Sequence, residues 1–343
     1  MPLSRDPGWI ALRAAIMLLL ASTFLVATVG SALGAVPEER IFGPDRYATS
    51  AEIAWRAYSG GTPVVVIATG ENWPDALAAG PLAGKVGGPI LLTRRTSLPS
   101  VVATRIVALG ATHAYIVGGS GAVDPAVESQ LHAAGILPAN ITRLGGTDRY
   151  ETAQLIAERI EMHDMDDVDT AYFATGSNFP DALAAGPFGT AYSRPILLVR
   201  RDSIPQATQD AITGLGLTKS YVLGGTAVIS DAVMAQLPMA ERLGGADRYE
   251  TARLVAQAAW DGSASRDDHL YVVTGEDFPD ALSASVLAAA GPFPIIPVRK
   301  SVVPAPSEQY INEHSLSITN LFVIGGTGVV SDATKNYIQS LLP

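Results

Sequence analysis

The chain has 343 residues, 48% of them hydrophobic and 16% charged, with a formal net charge of −10 and no cysteine. That length holds two or three ordinary domains, and the acidic balance argues against a general basic face for nucleic acid or anionic lipid. Without cysteine, neither disulfides nor thiolate metal sites can staple the fold.

The N-terminus reads as a secretory leader. Arg5 and Arg13 precede an apolar run from Ala14 to Val29, and the small residues S-A-L-G-A end at Ala35. Charged, apolar and small segments in that order predict a signal peptide over 1–35, and a secreted chain once it is cleaved. An uncleaved membrane anchor is the competing reading. The run contains Ser22, Thr23 and Thr28, and it falls short of the roughly 20 apolar residues that a span requires.

Beyond the leader, four blocks recur three times in the same order. They are R-I-F-G-P-D-R-Y-A-T (40–49), R-L-G-G-T-D-R-Y-E-T (143–152) and R-L-G-G-A-D-R-Y-E-T (242–251). Next come A-T-G-E-N-W-P-D-A-L (68–77), A-T-G-S-N-F-P-D-A-L (174–183) and V-T-G-E-D-F-P-D-A-L (273–282). Then follow P-I-L-L-T (89–93), P-I-L-L-V (195–199) and P-I-I-P-V (294–298), and last Y-I-V-G-G (115–119), Y-V-L-G-G (221–225) and F-V-I-G-G (322–326). A period of about 100 residues is domain-sized, too long for a solenoid repeat. It predicts tandem units over 38–138, 139–238 and 239–343.

Within each unit, short β-branched runs closed by glycine alternate with helical patterns. The R-I-F or R-L-G-G segment is a candidate fourth strand. From Asp45 to Tyr58, the residues Tyr47, Ala51, Ala54, Trp55 and Tyr58 recur on one helical face. The alternation predicts α/β units, each a small parallel sheet between helices, with linkers too short for the units to move as beads.

The D-R-Y blocks open helices. Asp148 with Glu151, and Asp247 with Glu250, have capping-box spacing; Asp45 can cap, but Ala48 removes the reciprocal half. Tyr47, Tyr150 and Tyr249 fit the inward face. Arg46, Arg149 and Arg248 lack such a local account, because a cation in the first helical turn is disfavoured by about 0.3–1 kcal/mol. An arginine fork beside open amides suits a phosphate or carboxylate from outside. The internal alternative is Asp75, Asp181 or Asp280, in the same unit or a neighbouring one. Asn72, Asn178 and Asp277 are candidate caps for the second helix, with Pro74, Pro180 and Pro279 in its first turn. The G-G-[ST] turns fit either tight geometry or a phosphate cradle.

Catalytic patterns are poor. The five histidines share no repeat position, no H-E-x-x-H or G-x-S-x-G occurs, and the repeated carboxylates already have capping explanations. No enzyme, metal or cofactor is expected. The alternatives kept are an envelope glycan hydrolase using the repeated carboxylates and a secreted receptor for a small phosphorylated sugar.

Taken in fixed order three times, R-[IL]-x-G-x-D-R-Y-x-T, T-G-x-x-[FW]-P-D-A-L and [YF]-[VI]-[VLI]-G-G resemble the cell wall-binding repeat 2 family of Gram-positive surface proteins, over about 40–343. The resemblance implies three Rossmann- or Toprim-like units about a pseudo-threefold axis, holding an anionic wall polysaccharide without covalent attachment. Its implied ligand contacts are Arg46, Arg149 and Arg248, surrounded by Tyr47, Tyr150, Tyr249, Asn72, Asn178, Asp75, Asp181 and Asp280. Nucleic acid and membrane are not expected partners, and the chain reads as an anchor module whose effector the sequence does not name. Repeat 3 departs most, with Asp277, Ser285–Val286 and Pro297, which points to it as the repeat that has lost binding or serves only packing.

Overall fold

A computed structural model of the chain describes residues 35–72, 74–163, 168–261 and 269–343. The predicted leader, except Ala35, and Trp73 lie outside the described residues. In chain order, the first repeat contributes β1 (Glu38–Ile41), α1 (Arg46–Ala57), β2 (Val64–Thr69), α2 (Ala79–Val86), β3 (Ile90–Thr93), α3 (Ser100–Leu109), β4 (His113–Val117) and α4 (Pro125–Ala133). The second contributes β5 (Ile141–Leu144), α5 (Arg149–Met162), β6 (Thr170–Thr175), α6 (Pro180–Ala184), α7 (Gly186–Ala191), β7 (Ile196–Val199), α8 (Gln206–Gly214), β8 (Lys219–Leu223) and α9 (Asp231–Met234). The third contributes β9 (Ala240–Leu243), α10 (Arg248–Asp261), β10 (His269–Thr274), α11 (Pro279–Ala288), β11 (Ile295–Val298), α12 (Ala305–His314), β12 (Asn320–Ile324) and α13 (Asp332–Ser340).

The strands form three four-stranded sheets, in the orders β3-β2-β4-β5, β7-β6-β8-β9 and β1-β12-β10-β11, and every pair is parallel. Strands covered on both faces have no polar side to alternate with. This is why Val65–Thr69 and all of β6 are buried.

The fourth strand is real, but it crosses the repeat boundary. β5 pairs with β4 of the repeat before it, and β9 with β8. The circle closes when β1 pairs with β12, in the register Ile41 to Ile324. Arg40 fastens this closure, donating from Nη1 to the carbonyls of Gly325 and Val330 at 2.9 Å, with Asp332 3.1 Å from Nη2. The Val36 amide reaches the Pro343 carbonyl at 3.3 Å, so the two ends of the described chain are neighbours.

The helices of the P-D-A-L blocks, α2, α6–α7 and α11, pack on one another around the pseudo-threefold axis. Small residues permit this approach: a β-carbon at Gly80 would fall 3.1 Å from Thr190 Oγ1 and 3.2 Å from Ser285 Oγ. Proline sets how regular each helix is. Pro187 separates α6 from α7, and a 3₁₀ turn at Ala76–Ala78 precedes α2. In the third repeat Val286 replaces that proline, and α11 runs unbroken for 10 residues. Pro297 is tolerated because β11 is an edge strand.

Each D-R-Y helix packs on its own repeat's P-I-L-L strand and against the P-D-A-L helix of the preceding unit, α1 meeting α11. Two such contacts bury more than one stripe. Tyr47, Ala51 and Ala54 are buried as predicted, along with Thr49, Ser50 and Ile53, whereas Trp55 is 40% exposed beneath Arg105. The aspartate caps form: Asp45 accepts from the Ala48 amide at 2.8 Å, and Asp148 and Asp247 each accept from two amides. The reciprocal half of the predicted capping boxes goes elsewhere. Glu151 accepts from the Thr147 amide and hydroxyl, and Glu250 pairs with Arg253.

Candidate functional site

In a parallel sheet the strand carboxyl ends share one edge, the usual place for ligands. The conserved-order turns all converge there. Each D-R-Y arginine, fixed by the first turn of its helix, lies at a junction between two units. From its Nη1, Arg46 donates to the Gly70 carbonyl, Arg149 to that of Gly176, and Arg248 to that of Gly275. A carbonyl at a strand end therefore supplies part of the negative partner that the helix start requires. The rest comes from the preceding unit. Arg46 Nη2 lies 3.1 Å from Asp277 Oδ2, the two side chains being 37% and 45% exposed, and the Arg248 guanidinium sits 5.6 Å over the Phe179 ring.

Asp75, Asp181 and Asp280 stand behind these arginines across the unit boundary. Burial raises the pKa of all three. The Thr152 hydroxyl and Arg149 oppose that rise at Asp75, as the Thr251 hydroxyl and Arg248 do at Asp181. Asp280 is pushed up to about 6, by burial first and then by the charge of Asp277, with Arg46 acting against both. The glycine pairs are tight turns closed onto these acids. Gly224 and Gly325 have φ of +96° and +102°, and a β-carbon there would fall 2.6 Å from Asp181 Oδ2 and 2.5 Å from Asp280 Oδ2. Asn178 and Asp277 do not cap helices; each Oδ1 accepts from the next residue's amide at 2.9 Å, while Phe179 and Phe278 occupy the cap positions. Asn72 is exposed at the same edge.

Tyr47, Tyr150 and Tyr249 are buried, at 7%, 8% and 4% exposure. What covers them was not singled out in the sequence. Arg94, Arg200 and Arg299 stack over the three rings at 4.8, 5.2 and 5.5 Å. Each begins a basic pair directly after the P-I-L-L strand: Arg94–Arg95, Arg200–Arg201 and Arg299–Lys300. All six side chains are exposed. Arg95 Nε also donates to the Gly121 carbonyl at 2.9 Å, and Arg201 Nε to that of Ala227 at 3.2 Å. Cation–π stacking and carbonyl bonds hold these guanidinium groups in place, so less freedom is lost when an anion arrives. The recurrence of two cations after the third block was the available signal.

The edge is not uniformly positive. Glu71 accepts from the Arg95 amide at 3.2 Å and Glu276 from that of Lys300 at 3.4 Å, whereas unit 2 has Ser177 at this place. At the junction of units 3 and 1 an open cleft of about 230 Å³ is lined by Arg46, Thr49, Thr274, Asp277 and Asp280. Among the described residues, no group of three or more histidine and carboxylate side chains is placed to hold a metal ion.

One cationic edge repeated around an axis, with its carboxylates committed to turns and arginines, defines a binding module. The sequence comparisons say to what: the chain belongs to the Cell wall binding domain 2 family, whose model matches residues 40–128, 143–234 and 242–335. It is a cell-wall-binding module, associated with the wall. The chain is similar to Cwp6 from Clostridium difficile, with a TM-score of 0.82 and 28% identity over 93% of this chain and 51% of that one. Cwp8 from Clostridium difficile shares the fold, with a TM-score of 0.78 at 22% identity over 98% of this chain and 55% of that one. Among curated proteins, N-acetylmuramoyl-L-alanine amidase LytC of Bacillus subtilis (strain 168) is 29% identical over 316 residues, 92% of this chain. The Amidase enhancer of the same strain is 27% identical over 303 residues, 87% of this chain. The chain spans 61% of the length of the first and 39% of the second. No helix among the described residues is long and apolar enough to cross a membrane.

Proposed function

We propose that this module, exported by its N-terminal leader, holds an anionic wall polymer, teichoic acid or a phosphate-bearing polysaccharide, without a covalent bond and without catalysing a reaction. The observation that carries this reading is the set of exposed cations stacked on buried tyrosines in all three units. Arg149 and Arg248, set back at the unit junctions, extend the same edge. The chain's overall net charge of −10 limits loose adhesion, so selectivity comes from where the cations are held. Contacts that are weak one at a time become strong when several engage one polymer, because linkage raises the effective concentration at the next site. The carboxylates Asp75, Asp181 and Asp280 are buried behind the arginines, where they close turns and unit junctions.

Co-sedimentation with purified wall tests this. Binding is expected to fall with added salt, to fall when anionic polymers are stripped from the wall, and to drop at least tenfold when Arg94, Arg200 and Arg299 are all changed to alanine. A folded triple variant that sediments like the wild type would remove these arginines from the site. Stoichiometric capture of a monomeric sugar phosphate, with insoluble wall ignored, would favour a small-ligand receptor instead.

A further inference from the structure

Beside the second sheet lies a pocket that the cationic edge does not use. Tyr172, Tyr192, Arg194 and Tyr221 of unit 2 line it, with Leu243 of β9 and Ala258 of α10 on the other side. Tyr172 and Tyr221 are partners in register on β6 and β8, so their rings stand on one face of the sheet, stacked 5.5 Å apart. Arg194 precedes β7 and Arg200 directly follows it. The pocket therefore lies about 20 Å from the cationic edge, at the other end of the strand.

The sister repeats close the equivalent place. In unit 1 the corresponding ring, Tyr115, has Arg159 of α5 5.7 Å over it, and its hydroxyl meets His163 Nε2 at 3.1 Å. In unit 3 Phe293 stands where unit 2 has Arg194, beside Tyr271, which stacks on Phe322. Unit 2 faces α10, which has Ala258 where α1 and α5 have Arg56 and Arg159. About 140 Å³ is left open, room for one six-membered ring. The missing helix cation is replaced by one from the loop before β7. Arg194 lies 5.0 Å over the Tyr192 ring and 5.6 Å over that of Tyr221. Burial raises the pKa of Tyr172, and the neighbouring Arg194 opposes that rise. Between Tyr192 and Arg194, Ser193 has a left-handed φ of +54°, where unit 1 has Gly87 at +69°. A non-glycine residue there is strained, and such strain persists only where the surrounding structure holds it. Among the described residues no carboxylate pairs with Arg194, and Glu241 on the neighbouring strand is taken by Lys219 at 3.4 Å.

A guanidinium group held against ring faces keeps N–H groups at its edge, and one such fork matches a planar carboxylate. Leu243, Ala258 and the tyrosine rings form an apolar bed, with tyrosine hydroxyls as polar ends beside it. That combination suits a pyranose, which has an apolar C–H face and a rim of hydroxyl groups. We propose that this pocket is a second ligand site, taking one carboxylate-bearing sugar residue, a uronate, with its carboxylate on Arg194 and its ring on the apolar bed. The site does not require the grip at the carboxyl edge.

The test titrates the full chain with methyl glucuronide, and with methyl glucoside and benzoate as controls, following the tyrosine ring resonances and the Arg194 Nε–H. Saturable binding at about millimolar concentration is expected, with shifts at Tyr192, Tyr221 and Arg194. The glucoside, which lacks the charge, and benzoate, which lacks the hydroxyl groups, should each bind more weakly, the glucoside by roughly tenfold or more. Arg194→Gln should lose a similar factor. Ala258→Arg supplies the side chain that α5 already carries, so it should fill the pocket and abolish binding. Melting temperatures within a few degrees of wild type check both folds. No saturable shift at these residues, either control binding as tightly as the glucuronide, or a folded Ala258→Arg that binds like wild type would overturn the inference. The triple change of Arg94, Arg200 and Arg299 to alanine should leave glucuronide binding intact. Failure of the chain to sediment with wall, together with the expected glucuronide pattern, would sink the wall-polymer reading and leave this site standing.

Discussion

Ile41 sits five residues before the first D-R-Y arginine, yet its side chain is expected to stabilise a sheet whose other strands begin at His269. It is 1% exposed and pairs in register with Ile324, because β1 completes the third sheet. Truncating a buried isoleucine to alanine costs about 2–5 kcal/mol through lost transfer energy and the cavity left behind. If that loss is felt as local opening, protection from amide exchange falls by between roughly thirtyfold and several thousandfold. Hydrogen exchange by mass spectrometry locates it. For Ile41→Ala the amides of β12 and β10 should exchange faster while those of β2 and β3 keep their protection. Two controls share the logic: Leu144→Ala should loosen β4, which it joins at Val117, and Leu243→Ala should loosen β8 at Leu223. Ile41→Ala loosening β2 and β3 and sparing β12 would refute the exchange of strands between units.

Three further outcomes are expected. Because the folded state raises the pKa of Asp280 from 3.8 to about 6, its contribution is fully present below about pH 4 and is lost as pH rises through about 6. Asp280→Asn should therefore gain on the order of 2–3 kcal/mol relative to wild type between pH 4 and pH 7, read from urea melts at each pH; a constant difference would contradict it. Gly224→Ala forces a left-handed φ on alanine and drives its β-carbon onto Asp181, so a loss of about 2 kcal/mol or more and a melting point several degrees lower are expected by calorimetry. Placing a carboxylate where unit 2 has none, Ser177→Glu beside Arg200 and Arg201, should weaken wall co-sedimentation at low salt by severalfold and have little effect at high salt; a salt-independent change would argue against an electrostatic edge.

Much of this architecture is legible in the residues themselves. The central strands are apolar runs ending in glycine, and the tandem blocks mark them three times. What the sequence does not show is where one sheet stops and the next begins. A tandem repeat has a period but no marked origin, and R-L beside the G-G turn is equally compatible with the strand before it and the strand after it. Only three-dimensional closure places Arg40 against the Gly325 carbonyl, 285 residues away. The site shows the same division. That Arg46, Arg149 and Arg248 need negative partners follows from helix electrostatics, but the ion pair of Arg46 with Asp277 spans 231 residues. Arg94, Arg200 and Arg299 look like ordinary loop composition after a strand; their meaning comes from stacking on Tyr47, Tyr150 and Tyr249.

The meeting of Val36 with Pro343 has a mechanical result. Val36 precedes the start of β1, and Pro343 follows a helix that has returned from the far end of β12, so both lie on the amino side of the third sheet. The arginines project from the opposite side. Chain continuing outward from Val36 or from Pro343 would leave from one spot on the side away from the arginines, like a load hung from the shank of a hook.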